Sequence, residues 1–186
     1  MLNGVMLVEE ASVIWKVNYK TLMQCIKGSP LKPLHFDRSE CEWIRCMWFV
    51  TKQGMERLFG PMPLIDASTA LMLVRLSNSV CMLLSIPYYE ELEDEILFFP
   101  KTYGGGPYAV DRHTGRVRMK FEPWDSDVKH ELRDTEELDA LEFEILLEPI
   151  IGERREKAKK VWKEHLDRAY PKEEKGFFGR LLDKLK

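Results

Sequence analysis

The sequence predicts an α+β protein of 186 residues. Three observations predict it. Helical periodicity at Val8–Lys16 and Tyr19–Lys27 is broken by a two-residue turn. Trp43–Val50 and Tyr108–Met119 read as β-hairpins. A helical stripe over Glu153–Ala169 is stopped by Pro171. We therefore expect one unit over 1–60 and a small α+β domain over 61–186. The second has a β-hairpin, a C-terminal helix and an amphipathic tail, and serves to bind a partner or dimerise.

The first unit follows from local chemistry. Ala11, Ile14 and Trp15 lie at i, i+3, i+4 on the first helix. Val17-Asn18 forms the turn, and the Asn18 side chain can cap the second helix by accepting an orphan N–H. In that helix Leu22 and Ile26 should point inward. Tyr19, Lys20, Met23, Gln24 and Lys27 should point away. Gly28 supplies the left-handed stop, and Pro30 and Pro33 prevent continuation. After the hairpin, Thr51 opens a short helix that ends at Gly60.

Glu10-Ala11, Val17-x-x-x-Thr21, Ile26-Lys27-Gly28, Leu31, the hairpin Trp43–Val50 and the closing run VTKQGMERLFG occur in a telling order. Together they resemble the winged helix-turn-helix of MerR and excisionase-type DNA-binding proteins, over about a third of the chain. The resemblance implies double-stranded DNA as a partner. Tyr19, Lys20, Gln24 and Lys27 would face the major groove, with Asn18 beside them and Lys16 and Arg45 on phosphate. The apolar wing and the lack of arginines in the second helix depart from many DNA readers. They leave room for a protein-binding use of the same fold.

Charge is unevenly divided. Residues 1–60 hold eight Lys/Arg and six Asp/Glu, a net of +2. The remaining 20 basic and 25 acidic residues give −5, so the total is −3. A mildly basic head on an acidic body fits DNA contact by the head alone. The start MLNGVMLVEE lacks a basic n-region, which predicts no export signal and a cytoplasmic protein. Polar residues such as Asp66, Arg75 and Asn78 interrupt the apolar run 65–86, so no membrane association is expected. Cys25, Cys41, Cys46 and Cys81 should be reduced thiols. Cys41 and Cys46 near His35 lack a second ligand pair, so structural cysteines are preferred to zinc, and no cofactor is expected.

Gly60-Pro61-Met62-Pro63 marks the boundary. Asp66 should cap a helix from Ala67 to about Leu84 that is apolar on all sides. Such a helix lies in a core or in a dimer interface. Glu90–Glu95 holds five acids and reads as a solvated loop or helix start; Ile96–Pro100 reads as a strand. Gly104–Gly106 lacks the phosphate-loop pattern and reads as a turn between strands. The run GGGPYAVDRHTGRV resembles a piece of the α+β domains of toxin-immunity proteins. Asp111, Arg112 and His113 form the polar cluster there, without a partner nucleophile, so no enzyme is expected. Glu131–Glu148 holds eight acids against Arg133 and reads as a solvated face or as an acidic surface for a basic partner. The tail 176–186 is a short amphipathic segment.

These readings combine into a DNA-binding autoregulator of a phage or mobile element. Its layout resembles anti-CRISPR proteins that join a helix-turn-helix to a nuclease inhibitor. In that reading Glu90, Glu91, Glu93, Asp94, Glu95, Glu136, Glu137 and Asp139 would meet a protein with a basic surface, such as an RNA-guided nuclease. A homodimer is expected, with Leu71, Val74 and the 153–169 helix as contributors. The alternatives are a plain transcription regulator with a ligand-sensing or dimerisation domain, and a toxin-immunity-type binding protein.

Overall fold

A computed structural model describes residues 4–28, 35–77, 85–101, 106–120, 131–138 and 141–169. It is α+β. Helices and a small sheet come first, then a larger sheet, then a long C-terminal helix. Strand β1 (Val5–Leu7) leads directly into α1 (Val8–Ile14), and α2 (Tyr19–Lys27) follows a tight turn. Strands β2 (Cys41–Ile44) and β3 (Met47–Thr51) form the wing hairpin, and α3 (Lys52–Phe59) closes it. The first sheet is antiparallel in the order β1-β3-β2, with Met6 opposite Val50 and Trp43 opposite Trp48.

The capping expected from the sequence is present. Asn18 Oδ1 accepts from Lys20 N at 2.9 Å, and Gly28 ends α2 at φ 68°. Thr51 Oγ1 accepts from Gly54 N at 3.0 Å. The first helix is shorter than predicted: Trp15 and Lys16 form a turn, with Lys16 at φ 52°. The predicted inward face of α1 divides between two cores. Val8 and Ala11 pack with Leu22, Cys25, Phe36, Val50 and Met55, whereas Val13 and Ile14 pack into the core beneath the second sheet. Trp15 Nε1 donates to Gly60 O at 2.9 Å, tying the end of α1 to the end of α3.

Helix α4 (Ala67–Ser77) begins at the Asp66 cap, whose Oδ1 accepts from Thr69 N at 2.7 Å. The predicted extension over 78–84, with Cys81, lies outside the described residues. Strands β4 (Tyr88–Glu91), β5 (Glu95–Phe99), β6 (Tyr108–Asp111), β7 (Val117–Met119) and β8 (Arg133–Asp134) make an antiparallel sheet in the order β7-β6-β5-β4-β8. Tyr89, Ile96, Phe98, Tyr108 and Val110 join α4 in one buried cluster. Gly115, at φ 68°, sits where a Cβ would come within 2.9 Å of Ile14 Cδ1 and 3.3 Å of Leu73 Cδ1. The β6–β7 turn therefore presses on both α1 and α4.

Three expectations are corrected. Leu71 and Val74 are buried within this chain's own core, at 3% and 0% exposure, so neither offers a dimer surface. Glu90 and Glu91 lie in β4, and Glu90 is buried, so the 90–95 run is not simply a solvated loop. The C-terminal helix α5 spans Leu141–Ala169, not 153–169. It runs through Pro149 and Gly152, two helix-weakening residues that hide its first turns from sequence reasoning. Leu147 and Ile151 anchor it in the core beneath the second sheet. No described helix is long and apolar enough to cross a membrane.

Candidate nucleic-acid interface

Helix α2 presents one polar stripe. Lys20, Gln24 and Lys27 are exposed at i, i+4, i+7, with Thr21 half-buried alongside. Leu22 and Cys25 form its buried side, and Met23 and Ile26 pack partly against the same core. Ile26, expected inward, and Met23, expected outward, are both half-buried, because the core that α2 shares with α1 and α3 reaches both. Asn18 is committed to the cap, so its side-chain oxygen serves the protein backbone.

Tyr19 does not share that stripe. It packs partly against both cores. Burial pushes its hydroxyl pKa up, and the nearby Glu9 carboxylate adds to the rise. The expected groove-facing position is thus corrected: Tyr19 is drawn inward where α1, α2 and α5 meet. Arg154 of α5 helps fix this junction, donating to Leu76 O at 2.9 Å and to Glu9 Oε1 at 3.4 Å. Beneath it, burial pushes the Glu10 carboxyl above its usual range, although Oε2 accepts from Leu7 N at 2.9 Å.

Lys16, in the turn that follows α1, is exposed and pairs with Asp66 at 3.3 Å. Partial burial raises the Asp66 pKa, but the Thr69 hydrogen bonds and Lys16 outweigh it and hold the carboxyl below its usual range. Arg45 is exposed at the wing tip. Arg45 and Cys46, at φ 48° and 65°, are the two turn residues between the paired Ile44 and Met47. Two consecutive positive φ values match a type I′ hairpin turn, built here without glycine or asparagine. Trp43 is 54% exposed beside the tip, its ring 5.3 Å from that of Trp48.

The wing is held by residues that sequence reasoning missed. Arg57 Nε donates to Glu40 Oε1 at 2.9 Å, and an Arg57 terminal nitrogen donates to His35 O at 3.0 Å and also to Glu40 Oε2. Glu40 in turn accepts from Asp37 N at 2.8 Å. The Arg57 hydrogen bond holds the Glu40 carboxyl below its usual range. Gly54 permits this approach, since a Cβ there would lie 2.9 Å from Glu40 Cβ and 3.0 Å from Phe36 Cδ1. The sequence signal for it is the glycine at the third position of α3.

The acids expected to meet a partner are unevenly placed. Glu91 pairs with Arg133 at 2.8 Å and with Arg112 at 3.7 Å. Glu95 pairs with Arg118 at 2.7 Å and with Lys120. Burial raises the Glu95 pKa, but those two cations outweigh it and lower it. Glu93, Asp94, Glu136 and Glu137 are exposed, and Asp94 reaches His113 Nε2 at 3.3 Å. Asp139 lies outside the described residues. Among the described residues no group of His, Cys, Asp and Glu could hold a metal.

A helix-turn-helix domain family matches residues 1–63. No curated protein and no solved structure matches the chain. The N-terminal third is therefore a helix-turn-helix domain, a class that suggests DNA binding.

Proposed function

We propose that this chain is a DNA-binding regulator that reads a duplex with α2 and steadies itself with the wing. The observation that carries the reading is the exposed Lys20/Gln24/Lys27 stripe on the second helix of a helix-turn-helix domain. A helix so placed enters the major groove, where Gln pairs with adenine edges and Lys with guanine or phosphate. Arg45 supplies a phosphate contact on this reading, and Lys16 supplies one by exchanging Asp66 for phosphate. MerR- or excisionase-like docking and control of its own operon are the finer form of the proposal. Binding to a selected duplex, tested across salt concentrations, decides it: a salt-insensitive or absent signal overturns it.

The inhibitor reading, with a basic nuclease held by the body's acids, draws support only from exposed Glu93, Asp94, Glu136 and Glu137. Glu91 and Glu95 are engaged within the chain. The regulator is therefore the better-supported function.

A further inference from the structure

We propose that the outer half of α5, beyond the buried Ala158 and as far as Arg168, is a docking surface for an acidic amphipathic helix of another protein. The helix is anchored by Leu147 and Ile151, but its apolar stripe does not stop where the core stops. Beyond Ala158, which is buried, it continues through Val161, Trp162 and Leu166 at helical spacing. Val161 is 40% exposed, Trp162 and Leu166 are half-exposed, and none of the three belongs to either buried cluster. The Trp162 ring stacks on His165 at 5.7 Å, which fixes it along the same face.

Charge selects the occupant. Residues 157–168 hold five bases (Lys157, Lys159, Lys160, Lys163, Arg168) and two acids (Glu164, Asp167). That is +3 on a chain whose total is −3. At about 100° per residue, Lys159 and Lys163 line one flank of the stripe, and Lys157 and Arg168 line the other. Asp167 falls behind, whereas Glu164 borders the Val161 edge of the stripe beside Lys157. Of the charges beside the apolar residues four are positive and one, Glu164, is negative, and Lys159 is paired with Glu156 at 2.8 Å. Lys157, Lys160 and Lys163 make no ion pair among the described residues.

An apolar stripe between basic rails suits a helix with an apolar face and acidic edges. A second copy of α5 would bring like charges together. A phosphate backbone has no use for Val161 or Trp162. A membrane surface would find only three apolar side chains, on a helix whose root is buried in the protein.

The test uses the full chain and a labelled synthetic peptide of about 18 residues, helical, with leucines on one face and glutamates on its flanks. A scrambled peptide of the same composition is the control. We expect the patterned peptide to bind and the scrambled one not to. Lys159→Glu with Lys163→Glu should weaken binding roughly tenfold or more, and high salt should mimic the loss. Val161→Ser, at an exposed position, should weaken binding while leaving the melting temperature unchanged, which separates docking from misfolding. Duplex binding by the head should be the same in every variant. Equal binding of the scrambled peptide, or no effect of charge reversal, overturns the proposal. So do loss of duplex affinity, preferential binding to phosphatidylserine vesicles, or sedimentation as a dimer that Val161→Ser dissolves.

Discussion

Replacing Gln24 with alanine separates reading from holding. Lys20 to Lys27 covers seven residue steps, about 10 Å along a helix axis at about 1.5 Å per step. That length matches about three base pairs at 3.4 Å per nucleotide along a strand. Gln24 stands in the middle of the exposed stripe. A bidentate amide contact to adenine gives about 1–3 kcal/mol of discrimination. At about 1.4 kcal/mol per decade this is roughly 5- to 150-fold. Lys27→Ala instead removes a charge, and should reduce the slope of log affinity against log salt by about 0.9 if it meets phosphate. The assay is fluorescence anisotropy with a duplex selected from a randomised pool and a shuffled duplex, each at several salt concentrations. Gln24→Ala should weaken the selected duplex and leave the shuffled one alone. Gln24 and Lys27 are exposed, so thermal stability should change by well under the binding effect. If Gln24→Ala weakens both duplexes equally, or neither, α2 does not read bases.

Leu71→Ala should cost about 2–5 kcal/mol in chemical unfolding, because it opens a cavity in the chain's own core. Its sedimentation mass should stay as in the parent. Cys46→Gly should stabilise the wing by about 1 kcal/mol, read from denaturant midpoints, because glycine accepts the φ of 65° without the Cβ penalty. Acid titrations of stability should separate two glutamates. Glu40 has a lowered pKa, so its contribution is present above the usual glutamate pKa and fades as pH falls through the lowered value. Glu40→Gln should therefore flatten the acid limb of the stability profile. Glu10 has a raised pKa, so its ionisation costs stability at neutral pH. Glu10→Gln should raise the melting temperature at pH 7, and the difference should vanish in acid.

The elements whose ends are written in neighbouring residues were legible before any tertiary contact was known. Asn18 and Gly28 bound α2, Thr51 and Gly60 bound α3, and Asp66 starts α4, because each cap is a hydrogen bond or a backbone angle within a few residues. The Lys20/Gln24/Lys27 stripe was legible for the same reason, since a 3.6-residue period needs no partner. The tertiary structure decided whatever depends on distant chain. Strand β1 is three residues long and exists by pairing with β3, so no local period announces it. Tyr19 turned inward because α1 and α5 arrive beside it. The wing clamp joins Glu40 to Arg57 across 17 positions, and the acids of β4 and β5 find Arg118, Lys120 and Arg133 more than 20 positions away. Helix α5 passes Pro149 and Gly152 because packing of Leu147 and Ile151 offsets their weak propensity. Local hydrogen bonding set where these elements begin and end; burial and long-range pairing set which of their faces remained for a partner.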